Sequence, residues 1–256
     1  MLLREFLDNP VGKGDAAINV SVIKQALSNK YDKYIKSNKK VEMKVFRQPL
    51  KDVYWIWLVM PSETERTNTY DVVFTFSNPK PTDRFTSALG KFDIQIFANV
   101  PSFAYTHAYV YNQHGLLINS LSSKLGKTFI SKAPDTRNRN QVLLFDKYVY
   151  FGARYIMDSM VLNRAVADAR SSKYDERNFN SKIRTLETIM EEYRVAENKL
   201  KKKSDKNEKK RRETRQSNDK GNVNRITGNK TGVKSVDKNA ARKKTTVKRQ
   251  STIKKR

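Results

Sequence analysis

Cysteine is absent from the 256 residues of this chain. Its absence excludes a disulfide framework, a zinc site built on thiolates and a cysteine nucleophile. The first eight residues also lack an apolar run long enough for a secretory signal, because charged side chains interrupt it. We therefore expect an intracellular protein, located in the cytoplasm, in a nucleoid or in a virion.

Aromatic residues are absent from the end of the chain, residues 201–256, although the whole chain holds 12 Phe, 12 Tyr and two Trp. The same segment contains 22 Lys and Arg against five Asp and Glu, so it carries +17 of the net charge of +26. Such a segment cannot bury enough apolar surface to offset the entropy lost on ordering it. We therefore predict a disordered polybasic tail over residues 204–256 that lies against a polyanion.

Long hydrophobic runs are lacking as well. The most apolar window, 142–162, is interrupted by four charged residues, Asp146, Lys147, Arg154 and Asp158. A membrane-spanning helix needs about 20 mostly apolar residues. The window indicates instead a buried element of a folded domain, and its length favours a helix from Val142 to about Ala169.

Two different apolar periods occur in the first 170 residues. Residues 16–37 repeat apolar side chains every three to four positions, which predicts an amphipathic helix. Apolar and polar residues alternate in three later segments, which predicts half-buried strands over 41–45, 70–76 and 92–96. Residues 53–60 are apolar at every position and predict a central strand covered on both faces.

A fifth strand is predicted from Phe103 to Tyr111, with Tyr105, His107 and Tyr109 between them on the same face. The connections between the strands are short or rich in turn residues, which favours an antiparallel meander over parallel units. The sequence therefore predicts an α+β domain over residues 1–170, in which an antiparallel sheet of about five strands packs with helices.

Residues 171–203 are predicted to extend this domain as an amphipathic helix. From Asn178 to about Lys203 the apolar positions are three or four residues apart, close to a heptad pattern, at Phe179, Ile183, Leu186, Met190, Tyr193, Ala196 and Leu200. These residues either dock on the domain or, over residues 179–200, bind a protein partner or a second copy of the chain.

The tail contains two dense basic clusters joined by a lightly charged spacer. Since neither cluster has an aromatic residue to stack on bases, we expect contacts to phosphates without sequence preference and an affinity that falls as salt rises. A solubilising tail, a nuclear-import signal and an anionic membrane surface are the alternatives, although a membrane partner is not expected without interleaved apolar residues. The predicted contacts are Lys201, Lys202, Lys203, Lys206, Lys209, Lys210, Arg211, Arg212, Arg215, Arg242, Lys243, Lys244, Lys248, Arg249, Lys254, Lys255 and Arg256.

Secondary contacts to nucleic acid are predicted in the domain. Flat rings on an exposed strand can stack on the bases of a single strand, and the candidates are Tyr105, Tyr109 and Tyr111. Arg137 and Arg139, in a polar loop, can add contacts to phosphates. The alternatives are that the rings belong to the core and that the arginines are ordinary loop residues.

Catalytic patterns are incomplete. Gly126-Lys127-Thr128 copies the end of a phosphate-binding loop, but the required earlier glycine is Leu121. Glu42-Met43-Lys44 resembles part of a metal-dependent nuclease signature and lacks the second carboxylate from a preceding strand. His107 and His114, the two histidines, are too few for a closed zinc site. No cofactor or metal is predicted.

The leading hypothesis is a non-enzymatic structural protein that is associated with nucleic acid, such as a genome-binding, packaging or virion-type component. Its tail is expected to hold DNA or RNA without sequence preference. One alternative is an assembly protein whose tail docks an acidic protein partner without nucleic acid. Another is a metal-dependent enzyme that acts on nucleic acid.

Overall fold

The computed structural model describes the chain over residues 1–8, 20–37, 40–48, 53–63, 68–77, 89–135, 137–157 and 176–226. Its strands are β1 (Glu42–Gln48), β2 (Val53–Pro61), β3 (Thr69–Ser77) and β4 (Asp93–Ala98). The helices before residue 160 are α1 (Leu3–Asp8), α2 (Val20–Lys36), α3 (Pro101–Thr106), α4 (Ala108–Gln113), α5 (Asn119–Ser122), α6 (Lys127–Ser131) and α7 (Lys147–Met157). In the described residues after 175, the helices are α8 (Glu176–Lys182) and α9 (Leu186–Ile226).

The four strands form one antiparallel sheet in the order β1-β2-β3-β4, so strands that follow each other in the chain are neighbours. Ile56 of β2 lies opposite Val45 of β1 and Phe74 of β3, and Phe74 lies opposite Ile96 of β4. Such cross-strand pairs of apolar side chains are what stabilises a sheet. The predicted α+β class and antiparallel meander are confirmed.

Helix α7 packs against one face of the sheet. Gly152 lies at the closest approach, where an added Cβ would stand 3.0 Å from Leu58 Cδ1 and 3.0 Å from Phe74 Cε2. The lack of a side chain therefore lets the helix backbone lie directly on the strands. Helix α2 contacts α7 in turn, with the rings of Tyr34 and Phe151 5.1 Å apart.

Helix α8 covers the opposite face. Phe179 meets Trp55 and Trp57 edge to face, with ring centroids 5.4 Å and 5.9 Å apart, and all three rings are buried. Strand β2 is therefore covered on both faces, as its apolar pattern predicts. Strand β3 departs from the predicted half-buried pattern, because Asp71 and Thr75 at its polar positions are buried as well.

The predicted fifth strand, Phe103 to Tyr111, is wrong, because this segment forms α3 and α4. Pro101 begins α3, a position where the missing N–H costs no hydrogen bond. Phe103, His107 and Tyr111 are buried and recur every four positions, which is close to the helical period. Rings at every second position fit both a strand and a helix, and the burial follows the helix.

Helix α7 forms within the predicted helix 142–169 and ends at Met157. Residues 158–169 of that prediction lie outside the described residues. No helix in the described segments is both long enough and apolar enough to cross a bilayer.

The single helix predicted from Asn178 to about Lys203 is interrupted at residues 183–185. Thr185 caps the second helix, since its Oγ1 accepts a hydrogen bond from the backbone N–H of Thr188 at 3.1 Å. The apolar residues nearest the break, Phe179, Ile183, Leu186 and Ile189, are buried, whereas Met190 and Leu200 are exposed. The first part of the apolar pattern therefore docks on the domain.

The disorder predicted from residue 204 is not confirmed over residues 204–226, where α9 continues. Lys and Arg, which supply eight of these 23 residues, have a high helix propensity. Residues 227–256 lie outside the described segments. The contacts divide the chain into two compact units, Met1–Leu200 and Lys201–Arg256, and α9 runs across this boundary.

Candidate nucleic-acid interface

The first turns of α9 in the second unit, residues 201–212, are densely basic. They hold eight Lys and Arg and two acidic residues, Asp205 and Glu208, which gives a net charge of +6. With a rise of about 1.5 Å per residue, this charge is spread over about 18 Å, or roughly one positive charge per 3 Å. One strand of duplex DNA carries a phosphate about every 3.4 Å of axis. The basic segment therefore matches the charge spacing of a nucleic-acid strand.

The helical period separates cations from acids within this segment. At about 100° per residue, an arc of about 120° around the backbone contains positions 202, 203, 206, 209 and 210. The acidic positions 205 and 208 fall outside that arc. The side chains of Lys202 and Lys206 are exposed. One side of the helix over residues 201–212 thus presents positions of a single charge sign.

The predicted phosphate contacts fall into three groups. Lys201, Lys202 and Lys206 are exposed on α9. A second group is described only by its helical backbone within α9 and consists of Lys203, Lys209, Lys210, Arg211, Arg212 and Arg215. The second basic cluster, from Arg242 to Arg256, lies outside the described residues and stays a prediction.

The tyrosines predicted to share one face of a strand lie instead on the helices α3 and α4. Tyr111 is 0% exposed, and its hydroxyl donates to the carbonyl of Leu144 at 2.9 Å. Tyr109 is half-buried, and Tyr105 is 47% exposed. The tyrosines diverge because α3 and α4 turn them to different sides. Of the three predicted stacking residues, Tyr105 presents the most exposed ring.

Arg137 and Arg139 are exposed in a loop that one asparagine holds in place. Asn138 adopts the left-handed conformation, with φ of 56°, and its Nδ2 donates to the carbonyls of Thr106 at 3.2 Å and Val142 at 2.9 Å. Its Oδ1 accepts from the N–H of Val142 at 2.9 Å. Because Thr106 follows Tyr105 at the end of α3, this asparagine brings the loop beside the exposed tyrosine.

Helix α6 completes the same region. Phe129 meets Tyr105 with ring centroids 4.8 Å apart and ring planes at 80°. Lys127 and Lys132, at the two ends of this short helix, are exposed. We name this region the Tyr105 surface and define it by Tyr105, Lys127, Lys132, Arg137 and Arg139. The sequence predicted three of its members, and its two lysines were missed because nothing in the sequence links them to the loop.

A buried carboxylate positions the start of α9. Asp71 is 1% exposed and accepts hydrogen bonds from Trp57 Nε1 at 3.1 Å and Asn99 Nδ2 at 2.8 Å. Arg184 donates to the same carboxylate from its backbone N–H at 3.2 Å and from Nε at 3.0 Å. A buried carboxylate is stable only with such partners. The break between α8 and α9 is thereby tied to the sheet.

The carbonyls of the break are also bound. Lys124 Nζ donates to the carbonyl of Ile183 at 2.6 Å, and Asn99 Nδ2 donates to that of Arg184 at 3.1 Å. Burial lowers the pKa of Lys124, and the nearby charge of Asp71 opposes this effect. These carbonyls at the end of α8 lack helical partners, so the domain supplies them.

The incomplete catalytic patterns gain no partners in the described residues. Gly126, with φ of 90°, begins the five-residue helix α6 and follows a 3₁₀ turn, whereas a phosphate-binding loop follows a strand. The ammonium of Lys44 lies 4.6 Å from the centre of the Trp57 ring. His107 is buried and His114 is exposed. No group of three or more potential metal ligands occurs in the part of the chain that the structure describes.

No family model, curated protein or solved structure matches this chain. The functional argument therefore depends on the chain's own charge, exposure and contacts.

Proposed function

We propose that this protein is a non-enzymatic structural protein that holds nucleic acid through the phosphates, in a genome-binding, packaging or virion-type role. The observation that carries the proposal is the basic segment 201–212, with a net charge of +6. Its charge spacing is comparable to the phosphate spacing of a strand. The remaining basic residues of 213–256 would add further phosphate contacts.

The mode of binding follows from the side chains present. Lysine, which supplies six of the eight basic residues of 201–212, is a flexible point charge that suits phosphate contacts. No aromatic residue occurs after Tyr193, so this part of the chain offers no ring to stack on bases. Binding by the tail is therefore independent of sequence and driven by the release of counterions from the nucleic acid.

The domain holds the first turn of α9. Leu186 and Ile189 of α9 are buried, and Arg184 binds the buried Asp71 just before the helix begins. The proposal assigns the contact with nucleic acid to the basic segment 201–212 and a structural role to the domain.

A pull-down with the full-length protein tests this proposal against an acidic protein partner. The tagged chain is captured from a cell lysate with and without nuclease treatment at moderate salt. We expect bound nucleic acid in the untreated sample, and loss of the co-purifying proteins after digestion. If the bound proteins are unchanged by nuclease and no nucleic acid is recovered, the acidic partner replaces nucleic acid in the account.

A further inference from the structure

The Tyr105 surface combines a partly exposed aromatic ring with an excess of positive charge. The segment 127–139 supplies Lys127, Lys132, Arg137 and Arg139 against a single acid, Asp135, so its net charge is +3. Asp135 pairs with Lys132 at 2.9 Å, and Arg139 Nε donates to the backbone carbonyl of Asp135 at 2.7 Å. The charge of the surface suits an anionic ligand and disfavours the chain's own basic tail as an occupant.

The ring of Tyr105 is placed for stacking. Its plane makes an angle of 80° with that of Phe129, so the two rings meet edge to face and are not stacked. The sulfur of Met190 lies at the tip of the ring, 4.0 Å from the hydroxyl oxygen. At least one face of the ring is therefore not covered by either partner, in agreement with its 47% exposure.

The loop that carries the arginines contains two residues in the left-handed backbone conformation. Among the residues that the structure describes, Asn138 with φ of 56° and Gln141 with φ of 54° are the non-glycine residues of positive φ. Such conformations persist where the surroundings enforce them, and they concentrate at functional sites. The enforcing contacts are those of Asn138 with Thr106 and Val142. The loop is thus fixed beside α3 with Arg137 and Arg139 facing solvent.

We propose that the Tyr105 surface is a second nucleic-acid site and that it binds single strands. The ring of Tyr105 stacks on one base, and the surrounding lysines and arginines contact the flanking phosphates. A duplex offers no free base face to the ring, because its bases already stack on each other. This site extends the role proposed for the tail, and it differs from the tail in selecting single-stranded over duplex nucleic acid.

The test compares full-length variants in solution. One variant, Tyr105→Leu with Arg137→Gln and Arg139→Gln, removes the ring and two charges. A matched control, Lys30→Gln with Lys36→Gln, removes two exposed charges from α2. Affinities are measured by fluorescence anisotropy with an oligothymidylate of about 15 nucleotides and with a duplex of the same length. Salt of about 0.3 M weakens the purely electrostatic contribution of the tail.

We expect the Tyr105 variant to bind the single strand at least about fivefold more weakly than the control variant does. Its duplex affinity should match that of the control. Tyr105→Phe keeps the ring and should bind the single strand like the natural chain. The single variant Tyr105→Leu, which keeps both arginines, is measured beside it. Equal single-strand affinity in the Tyr105 variant and the control, or an equal loss in Tyr105→Phe and in Tyr105→Leu, would overturn the proposal.

Failure of the tail proposal gives a different result. Replacing Lys202, Lys206, Lys209 and Lys210 by Gln should weaken single-strand and duplex binding together, since the tail reads phosphates in both. If this tail variant binds both probes like the natural chain while the Tyr105 variant still loses single-strand affinity, the tail proposal fails and the Tyr105 surface stands. Circular dichroism melting of each variant verifies that the domain stays folded.

Discussion

Arg184 reaches the buried carboxylate of Asp71 across 113 residues of sequence, with Nε 3.0 Å from Oδ2. Arg184 Nη2 also donates to the carbonyl of Thr69 at 2.9 Å and to its hydroxyl at 3.0 Å. Arg184 Nη1 donates to the carboxylate of Glu192 at 3.2 Å. Arg184 therefore joins the start of α9 to the start of β3. Helix α9 therefore begins at a point that the core of the domain fixes.

Replacing Arg184 by methionine should destabilise the domain strongly. The change leaves Asp71 buried without its cation, and breaking a buried ion pair from one side costs about 3–5 kcal/mol. Urea unfolding followed by circular dichroism measures this loss. Arg194→Met is the matched control, because the pair of Arg194 with Glu191 is exposed, with side chains 74% and 55% accessible. Its loss should be less than about 1 kcal/mol. Equal losses for the two variants would contradict the anchoring role of Arg184.

Protonation of His107 should destabilise the folded protein below neutral pH. Burial lowers the pKa of His107 from its ordinary 6.5, and the charge of Asp146 opposes that effect. Below pH 6.5 this imidazole is protonated in the unfolded chain but still neutral in the folded chain. The free energy of unfolding is therefore retained above pH 6.5 and falls as the pH drops below that value. One such group contributes at most about 1.4 kcal/mol per pH unit.

The control for His107 is the exposed His114. His107→Phe should flatten the decline of the melting temperature between neutral pH and the range where carboxylates titrate, and His114→Gln should leave it as in the natural chain. If both variants retain the same pH dependence, His107 is not the group responsible.

The loop at Asn138 should depend on both its backbone and its side chain. Asn138→Gly keeps the left-handed backbone and loses the three hydrogen bonds, whereas Asn138→Ala loses the bonds and also strains the backbone. We expect alanine to be the more destabilising by about 1 kcal/mol. Thermal unfolding of the two variants decides this, and equal melting temperatures would show that φ at this position is not constrained.

A proline in the basic part of α9 should disrupt the helix locally. Asn207 is exposed, and proline there removes a backbone hydrogen bond at a cost of about 3 kcal/mol to the helix. Asn207→Pro should reduce the circular dichroism signal at 222 nm, while the melting temperature of the domain stays unchanged. Asn207→Ala is the control, and identical spectra for the two variants would mean that this segment is not helical in solution.

The sheet could be predicted because its signals are local. The period of two over 41–45, 70–76 and 92–96 and the fully apolar run 53–60 are visible in the sequence, and the observed strands contain nearly all of these residues. The strand predicted over 103–111 was wrong because its aromatic residues at every second position include Phe103, His107 and Tyr111 at every fourth, so they fit the period of a strand and also that of a helix. Pro101, a strong first-turn residue, was the overlooked signal.

The contacts that shape the candidate sites could not be predicted. Asp71 alternates with apolar residues like a solvent-facing residue, and only its distant partner Arg184 makes burial tolerable. The break at 183–185 depends on that same pair. The Tyr105 surface depends on the hydrogen bond from Asn138 to Thr106, which no sequence period encodes. The charge of residues 201–256 follows from composition, whereas the helix over 201–226 has no apolar period that would predict it.

The salt dependence of duplex binding tests the central claim most directly. The tail variant with Lys202, Lys206, Lys209 and Lys210 replaced by Gln is compared with a domain variant of equal charge, in which the four replaced residues are Lys30, Lys33, Lys36 and Lys40. Each phosphate contact contributes about −0.9 to the slope of log Kobs against log salt concentration. The account predicts that the slope becomes shallower by about 3.6 in the tail variant and by less than about 1 in the domain variant. Equal slopes in the two variants would contradict the account, because charge in general, and not the basic segment of α9, would then explain the binding.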